Sequence, residues 1–278
     1  MEFTLMKILI QIAQGFCLLS VSLLSCVPKT LSETISLPLS DVTSNQVIIS
    51  KLENSVLGFD QSKQEPVLLA FNSFTDIDGV KGQTEIQQLV QLGVIETNSS
   101  NFNPLDPITR GQFVTWLVKA YNQLHDVPIP VGSNRELAFS DLSVSHPDFN
   151  YIQAAYDAGY IVGFEDGTFQ PNNPLTREQM IALKSQLDSS GSDSRNADRL
   201  RHFASRTMGY TDVEQMSDQY LKYLVFDAWN AAGSKNFVRV YGQTRIYSPK
   251  RPVTRAEAAI LLTKFRKGKP IEKVLESR

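Results

Sequence analysis

Apolar residues recur at helical spacing in the middle of the chain. Ile152, Ala155 and Tyr156 lie at positions i, i+3 and i+4, which predicts a helix with one apolar face. Gly159 follows this pattern and suits the C-terminal cap of that helix. A second helix is predicted to begin at Thr176. The apolar side of this second helix comprises Met180, Ile181 and Leu183.

A glycine-containing segment, residues 161–171, separates these two predicted helices. Gly163 and Gly167 allow backbone angles that side chains disfavour, so we expect a tight loop with Phe169 turned inward. The pattern therefore predicts a unit made of a helix, a structured loop and a second helix.

The start of the second helix is one copy of a phrase that the chain contains three times. Three segments read TRGQ, TREQ and TRAE, each with a proline two residues before its threonine: residues 109–112, 176–179 and 254–257. Upstream of each lies an aromatic residue, a hydroxyl residue and an aspartate, at residues 74–76, 139–141 and 210–212. A period of this size indicates one structural unit used three times. Such a unit is more typical of binding than of catalysis, which usually needs one asymmetric set of groups.

The threonine and the arginine of the phrase call for different explanations. A threonine followed three residues later by Gln or Glu is a capping box, which closes the start of a helix. An arginine in the first turn lies at the positive end of the helix dipole, at a cost of roughly 0.3–1 kcal/mol. A helix start with an arginine suits a carboxylate or phosphate ligand. The alternative is an internal ion pair with an aspartate such as Asp76, Asp141 or Asp212.

The second copy, GYIVGFEDGTFQPNNPLTREQM, resembles an S-layer homology motif, and the first and third copies match its ends. The matching ends are FTD with FNPLDPITRGQF, and YTD with YSPKRPVTRAEAAILL. Together the three copies cover roughly residues 71–268. The resemblance implies a mainly α fold, with three helix-loop-helix motifs in a pseudo-threefold prism around a central helical bundle. It also implies grooves between motifs that bind cell-wall polysaccharide, often through a pyruvylated amino sugar.

The resemblance assigns ligand-binding roles by position. It aligns one arginine of each copy with the ligand-binding arginine of the family, namely Arg110, Arg177 and Arg255. It aligns three residues of the second copy with the loop that walls the groove, namely Gly163, Asp166 and Gly167. Trp116, six residues after Arg110, offers either a face for stacking on sugar or a side chain for the core.

The copies also depart from the motif. The first copy shortens the glycine loop to residues 93–98, and the third replaces it with a longer and more basic loop at residues 233–242. We therefore expect the three grooves to be used unequally, with the groove that uses the second loop best preserved. Residues 188–197 are predicted to form a polar linker, and residues 266–278, with charges of both signs, a solvated tail.

The first residues of the chain are typical of an export signal. Lys7 precedes an apolar stretch, residues 8–24, which is short for a membrane-spanning helix. The stretch ends at Leu-Leu-Ser-Cys, which resembles a bacterial lipobox and predicts lipidation of Cys26. An uncleaved signal anchor or an ordinary export signal is the alternative. The expected location is the cell envelope, in the outer membrane where the cell has one, as in lipoproteins of cyanobacterial type.

These interpretations divide the chain into six parts. They are a lipoprotein signal peptide, a spacer, three S-layer homology motifs and a charged tail, at residues 1–25, 26–70, 71–125, 137–188, 206–268 and 269–278.

Composition argues against other classes of protein. A net charge of −2 and a pI near 6.0 provide no basic surface for nucleic acid. The three histidines lack metal-ligand spacing, and there is no nucleophile elbow, so we expect neither catalysis nor a cofactor. Residues 76–79 resemble the start of a calcium loop, but Gln87 stands where a glutamate is needed, so a turn is expected.

The sequence therefore predicts a non-catalytic envelope protein. Its expected partners are cell-wall polysaccharide or a peptidoglycan-linked polymer, and a membrane through the N-terminal lipid. A protein-interaction adaptor that uses the repeats as a scaffold is the alternative, and a wall hydrolase is a more distant one.

Overall fold

The computed structural model describes residues 74–132, 136–189, 193–229 and 235–278. These ranges lie in one compact unit, Leu68–Arg278. The predicted signal peptide, the spacer and Cys26 lie outside the described residues. None of the helices in the described ranges combines the length and the apolar character needed to cross a membrane.

The described ranges are mainly helical and contain no extended strand, which confirms the predicted fold class. A single 3-10 turn, Val213–Gln215, lies between the fifth and sixth of their α-helices. The α-helices are α1 Gln83–Gln91, α2 Arg110–Leu124, α3 Phe149–Asp157, α4 Arg177–Ser189, α5 Ala197–Arg206, α6 Asp218–Trp229, α7 Asn236–Tyr241, α8 Arg255–Leu262 and α9 Ile271–Glu276.

The second copy forms the predicted helix, loop and helix as α3, residues 158–176 and α4. Gly159 has φ +73° and donates its N–H to the carbonyl of Tyr156 at 2.8 Å, which ends α3 as predicted. Phe169 is fully buried, again as predicted. Tyr156 is the exception, because it is 43% exposed, although its ring makes a T-shaped contact with the ring of Phe139 at 5.2 Å.

The three Thr-Arg phrases begin α2, α4 and α8, and the residue before each threonine joins one copy to the next. Ile108 donates its backbone N–H to Val253, Val253 donates to Leu175, and Leu175 donates to Ile108, at 2.8–2.9 Å. These three residues are fully buried. The backbone bonds therefore run in a closed cycle through the three copies. The pseudo-threefold prism stays a prediction.

The second copy departs from the others in the core. Lys184 lies eight residues after Thr176, where the other two copies have Leu117 and Leu262. It is fully buried and bonds Asp188 at 2.7 Å, with its ammonium 3.8 Å from the ring of Phe265. Burial lowers the pKa of Lys184 to about 8, although the charge of Asp188 opposes this change.

Two segments predicted to be polar and solvated take part in the core. Asp188, the first residue of the predicted linker, is buried near the end of α4 and accepts bonds from Lys184, Asn236 and Arg266. The predicted tail forms α9, whose Ile271 is buried. The guanidinium of Arg278 donates to the carbonyl of Gln91 at 2.9 Å. The linker prediction was wrong at Asp188 and the tail prediction was wrong at Ile271, because the partners of both residues are distant in sequence, whereas residues 193–197 and most of the tail are exposed or half-buried.

Candidate ligand-binding clefts

The predicted capping boxes are present at two of the three helix starts. Thr176 with Gln179, and Thr254 with Glu257, exchange both bonds of the box, at 3.0–3.4 Å. At α2 the hydroxyl of Thr109 accepts the N–H of Gln112 at 3.2 Å, but the Gln112 side chain turns elsewhere. Its Oε1 accepts a bond from Arg255 at 2.7 Å.

The aspartate of each triplet binds backbone amides of its own copy. Each carboxylate accepts two consecutive N–H groups at 2.7–2.9 Å. The pairs are Asp76 with Phe102 and Asn103, Asp141 with Phe169 and Gln170, and Asp212 with Tyr247 and Ser248. In each pair the second donor has a positive φ, between 51° and 58°. The carboxylates thus hold three left-handed turns that non-glycine residues otherwise disfavour.

Within the described ranges these aspartates form no ion pair with the arginines of the phrases, contrary to the alternative considered from sequence. Burial alone would raise the pKa of Asp76, but the amides of Phe102 and Asn103, followed by the charge of Arg255, bring it below its ordinary value. The aspartate therefore acts on the arginine of another copy through charge and through the turn that it holds.

Each of the three arginines reaches the turn of another copy. Its guanidinium donates to the backbone carbonyl of an aromatic residue in that turn. The N–H of the same aromatic residue is the one that the triplet aspartate accepts. The bonds are Arg110 Nε to Phe169 at 3.0 Å, Arg177 Nη1 to Tyr247 at 3.0 Å, and Arg255 Nε to Phe102 at 2.8 Å. The triplet of one copy and the phrase of another therefore build each arginine site together.

Arg110 lines a cleft of about 280 Å³ between the second-copy loop and α6. Its side chain runs beside two aromatic rings, Phe164 at 5.0 Å and Phe169 at 4.5 Å. The residue is 4% exposed, and its Nη1 has no hydrogen-bond partner among the described residues. Burial lowers the pKa of Arg110, and Tyr220 partly counters that change. Arg110 thus places a buried Nη1 that lacks a partner among the described residues next to an open cleft.

Arg255 lines a second cleft, of about 350 Å³, between the first-copy loop and α3. Its guanidinium lies 4.9 Å from the ring of Trp116, and its Nη1 donates to Gln112 at 2.7 Å. Polar pairs also line this cleft, with Lys119 to Glu96 at 2.8 Å and Thr115 to Asp148 at 2.6 Å. The cleft therefore offers cationic and aromatic groups side by side.

Trp116 belongs both to the core and to this second cleft. It is 5% exposed and stacks on Phe102 with ring centroids 5.9 Å apart. Most of its indole is therefore covered, and only a small part of it faces the cleft. Its role in sugar binding stays a prediction.

Arg177 lies in a different environment, covered by the third copy. The ring of Tyr241 lies 3.8 Å from its guanidinium, and Glu257 lies 3.9 Å from its Nη2. Burial, and then the charge of Glu257, raises the pKa of the Tyr241 hydroxyl, which donates to Glu257 at 3.3 Å. Arg177 lines neither of the two clefts described above.

The three predicted loop residues have separate roles. A Cβ on Gly163 would lie 2.4 Å from the carbonyl oxygen of Thr168, so only glycine fits at this wall of the Arg110 cleft. Gly167 has φ +77°, a conformation that favours glycine. Asp166 is exposed and accepts both the N–H and the hydroxyl of Thr168, at 3.0 and 2.7 Å. Asp166 therefore shapes the loop, and its contact with a ligand stays a prediction.

Sequence reasoning missed the residues that the neighbouring copy contributes to each cleft. Residues 218–220, 222 and 223 of α6 line the Arg110 cleft, and Tyr151 of α3 lines the Arg255 cleft. Their sequence positions carry no signal of a site, because the first helix of each copy has no fixed polar pattern.

The expected turn at residues 76–79 is present, since Val80 donates its N–H to Ile77 at 3.2 Å and Gly79 has φ +66°. Across the described ranges no three His, Cys, Asp or Glu side chains cluster as metal ligands would.

Comparison with known protein families supports two of the three repeated units. The S-layer homology domain matches residues 73–114 and 138–181, which are the first and second copies. The third copy, at residues 206–268, lies outside the matched segments and stays a prediction.

Similar proteins include three large carbohydrate-active proteins. An endoglucanase of Bacillus sp. (strain KSM-635) is 34% identical over 99 residues, which are 35% of this chain and 10% of that protein. The exoglucanase XynX of Acetivibrio thermocellus is 27% identical over 206 residues, 72% of this chain and 17% of that protein. An amylopullulanase of Thermoanaerobacterium thermosulfurigenes is 26% identical over 196 residues, 68% of this chain and 9% of that protein.

The chain thus spans less than a fifth of the length of each of these relatives. The match to these relatives is to their S-layer homology region only. S-layer homology domains generally anchor proteins to the cell wall, and they imply a cell-surface or envelope location. Two segments of this chain, residues 73–114 and 138–181, therefore match the S-layer homology domain.

Proposed function

We propose that this chain is a non-catalytic anchoring protein of the cell envelope. Its three S-layer homology motifs bind an acidic, pyruvylated wall polysaccharide or a peptidoglycan-linked polymer. The observation that carries this proposal is the buried Arg110, whose Nη1 lacks a partner among the described residues while the side chain lines an open cleft.

Burial of the Arg110 guanidinium favours an acidic ligand. A buried cation that lacks a charged partner loses solvation energy, which a ligand carboxylate restores through charge-assisted hydrogen bonds. The neighbouring helix start adds the positive end of its dipole. Phe164, whose half-buried ring lies 5.0 Å from the guanidinium, supplies apolar surface for a sugar ring, whereas Phe169 is fully buried. The same combination of cation and aromatic ring recurs at Arg255.

The N-terminal residues complete the proposed anchor. Cleavage after residue 25 would leave Cys26 as the first residue, and a lipid on its thiol would hold the chain in a membrane. The motifs would then bind the cell wall, so that the protein connects the membrane to the wall. We propose the outer membrane as the lipid's location where the cell has one.

The relatives support a shared binding region more than a shared activity. Their names describe enzymes, but the matched region occupies at most 17% of any of them. The repeats fill most of this chain, which leaves little length for a catalytic domain. We therefore propose that this chain has no enzymatic activity of its own.

Co-sedimentation with cell-wall sacculi tests this function. The full chain carrying Cys26→Ser would be used, because it lacks the proposed lipid acceptor and its pelleting reports wall binding alone. We expect the protein to pellet with intact sacculi. We expect no pelleting after the polysaccharide linked to the peptidoglycan has been extracted. Binding that survives the extraction, or release of reducing sugar from the wall, contradicts the proposal. Retention by wall-free envelope proteins would favour the adaptor alternative.

Matched arginine variants connect binding to the clefts. Arg110→Met and Arg255→Met each keep an unbranched side chain as far as the position of Nε and remove the guanidinium and its charge. Each should weaken pelleting at least about tenfold, equivalent to about 1.4 kcal/mol. Arg199→Met is the control, because Arg199 is exposed on α5 and lines neither cleft. Equal binding by all three variants would refute the role of the clefts.

A further inference from the structure

Each of the two open clefts contains a tyrosine from a copy that supplies neither its arginine nor its loop. Tyr220 of α6 lines the Arg110 cleft, and Tyr151 of α3 lines the Arg255 cleft. Each tyrosine is the third residue of its helix, and each is half-buried against the core. The same residue type at the same position of two clefts indicates a role at the clefts in addition to packing.

Contacts with the second copy fix the position of Tyr220. The carboxylate of Glu178, in the first turn of α4, accepts the backbone N–H and the hydroxyl of Ser217, both at 2.9 Å. The carbonyl of Ser217 in turn accepts the N–H of Tyr220 at 3.0 Å. The start of α6 is therefore held against the start of α4, and Tyr220 lines the cleft before any ligand arrives.

The hydroxyl of Tyr220 has two hydrogen-bond donors as neighbours. Burial raises the pKa of this hydroxyl, and the charge of Arg110 and a bond from Gln179 oppose the change. The side-chain oxygen of Gln179 already accepts the N–H of Thr176 at 3.2 Å, so its amide nitrogen is the group that faces Tyr220. Because a guanidinium and an amide nitrogen can only donate, the proton of the Tyr220 hydroxyl is left for a separate acceptor.

A ligand that brings an acceptor suits this arrangement. Asp218 also lines the cleft, but its carboxylate is paired with Arg201. Arg110 Nη1 lacks a partner among the described residues. The two oxygens of one ligand carboxylate can accept the free N–H of Arg110 and the O–H of Tyr220, and bonds to a charged acceptor are the stronger kind.

We propose that Tyr220 binds the acid group of the wall sugar together with Arg110, and that Tyr151 does the same at Arg255. This inference rests on the proposed function. Each site then takes its groups from all three copies, with the arginine from one, the loop from the next and the tyrosine from the third. A single copy therefore cannot build a complete site.

Methyl NMR of the full chain carrying Cys26→Ser, the parent chain, measures affinity at each cleft separately. Val162 lines the Arg110 cleft and Ile95 lines the Arg255 cleft, so the shifts of their methyl groups report on different sites. The probe is a pyruvylated amino-sugar disaccharide, titrated into the parent chain and into each variant.

Tyrosine-to-phenylalanine variants remove the hydroxyl and keep the ring. Tyr220→Phe should weaken binding about tenfold at Val162 and leave it unchanged at Ile95, because a hydrogen bond to a charged group is lost at one cleft only. Tyr151→Phe should weaken binding at Ile95 alone. Tyr156→Phe is the matched control, because Tyr156 is exposed and lines neither cleft. The unaffected cleft in each variant also shows that the chain remains folded.

A carboxamide form of the disaccharide tests whether the carboxylate is the group that is bound. A neutral acceptor forms bonds about half as strong, so the parent chain and Tyr220→Phe should then differ less than about threefold at Val162. The same difference as with the carboxylate would show that Tyr220 bonds another group of the sugar, and it would overturn the inference.

Two outcomes separate this inference from the proposed function. Equal affinity of the parent chain and Tyr220→Phe at Val162, or of the parent chain and Tyr151→Phe at Ile95, overturns the inference for that cleft and leaves wall binding intact. A titration that shifts neither methyl group in the parent chain counts against the proposed function itself.

Discussion

Replacing Asp227 by alanine should unfold the region that covers Arg177. Asp227 is 1% exposed and accepts three hydrogen bonds at the start of α7. The donors are the backbone N–H and side-chain amide of Asn236, at 3.0 and 2.8 Å, and the N–H of Phe237, at 2.9 Å. Helix α7 ends at Tyr241, whose ring lies over the guanidinium of Arg177. The carboxylate therefore supports the contact that covers this arginine.

The structure gives an order of magnitude for the loss. Asp227→Ala leaves two backbone amides without their acceptor, and each unsatisfied buried donor costs about 1–3 kcal/mol. The side-chain amide of Asn236 keeps Asp188 as an acceptor at 3.0 Å. Burial raises the pKa of Asp227, so removing the carboxylate also relieves some desolvation. We expect a net loss of about 3 kcal/mol, and about 1 kcal/mol for Asp227→Asn, which keeps one oxygen acceptor.

Urea unfolding followed by circular dichroism measures this difference. Asp198→Ala, on the exposed side of α5, is the control and should lose no more than about 1 kcal/mol. An Asp227→Ala variant as stable as this control would show that the buried bonds contribute no net stability. That result would refute the role assigned to Asp227.

Three further predictions concern single positions. Gly163→Ala should lower both the melting temperature and the affinity for the disaccharide, because the new Cβ would lie 2.4 Å from the carbonyl oxygen of Thr168. Gly132→Ala is the control for affinity, because a Cβ there meets open space, and it should leave the affinity for the disaccharide unchanged. Thr254→Ala should lower the unfolding free energy by about 1 kcal/mol, and Thr254→Ser should restore most of it; equal stability of the three forms would contradict the cap. The pKa of Lys184 falls from 10.5 to about 8 on folding, so the unfolded chain binds more protons between these values. The unfolding free energy of the unchanged chain should therefore rise relative to Lys184→Leu as pH increases from about 8 to 10.5, and a flat difference would contradict the buried ammonium.

Features that depend on neighbours in sequence could be predicted from the sequence. The helix start at Thr176, the helix end at Gly159 and the buried Phe169 all follow from residue types within one repeat. Each is set by backbone geometry or by apolar spacing over a few residues, which a single copy already contains.

Features that depend on contacts between copies could not be predicted in this way. The bond from Arg110 to the carbonyl of Phe169 joins residues 59 positions apart, and no local pattern marks that carbonyl as the acceptor. The sequence suggested aspartates as the alternative partners of these arginines because it shows charge. It does not show that their carboxylates are taken by backbone amides.

Burial of charge was also beyond sequence reasoning. Asp188 begins a stretch rich in Ser, Gly and Asp, and such composition is typical of a solvated linker. Its burial becomes favourable only because Lys184, Asn236 and Arg266 supply donors from three different segments. Helix α9 was missed for a related reason, since six residues are too few for a helical period to be recognised.

A crystal structure of the chain with the pyruvylated disaccharide bound would test the central claim most directly. The account predicts the acidic group of the sugar within hydrogen-bond distance of Arg110 Nη1, with the sugar ring in the cleft between the second-copy loop and α6. Density for the sugar at any place remote from both Arg110 and Arg255, with their clefts empty, would contradict it.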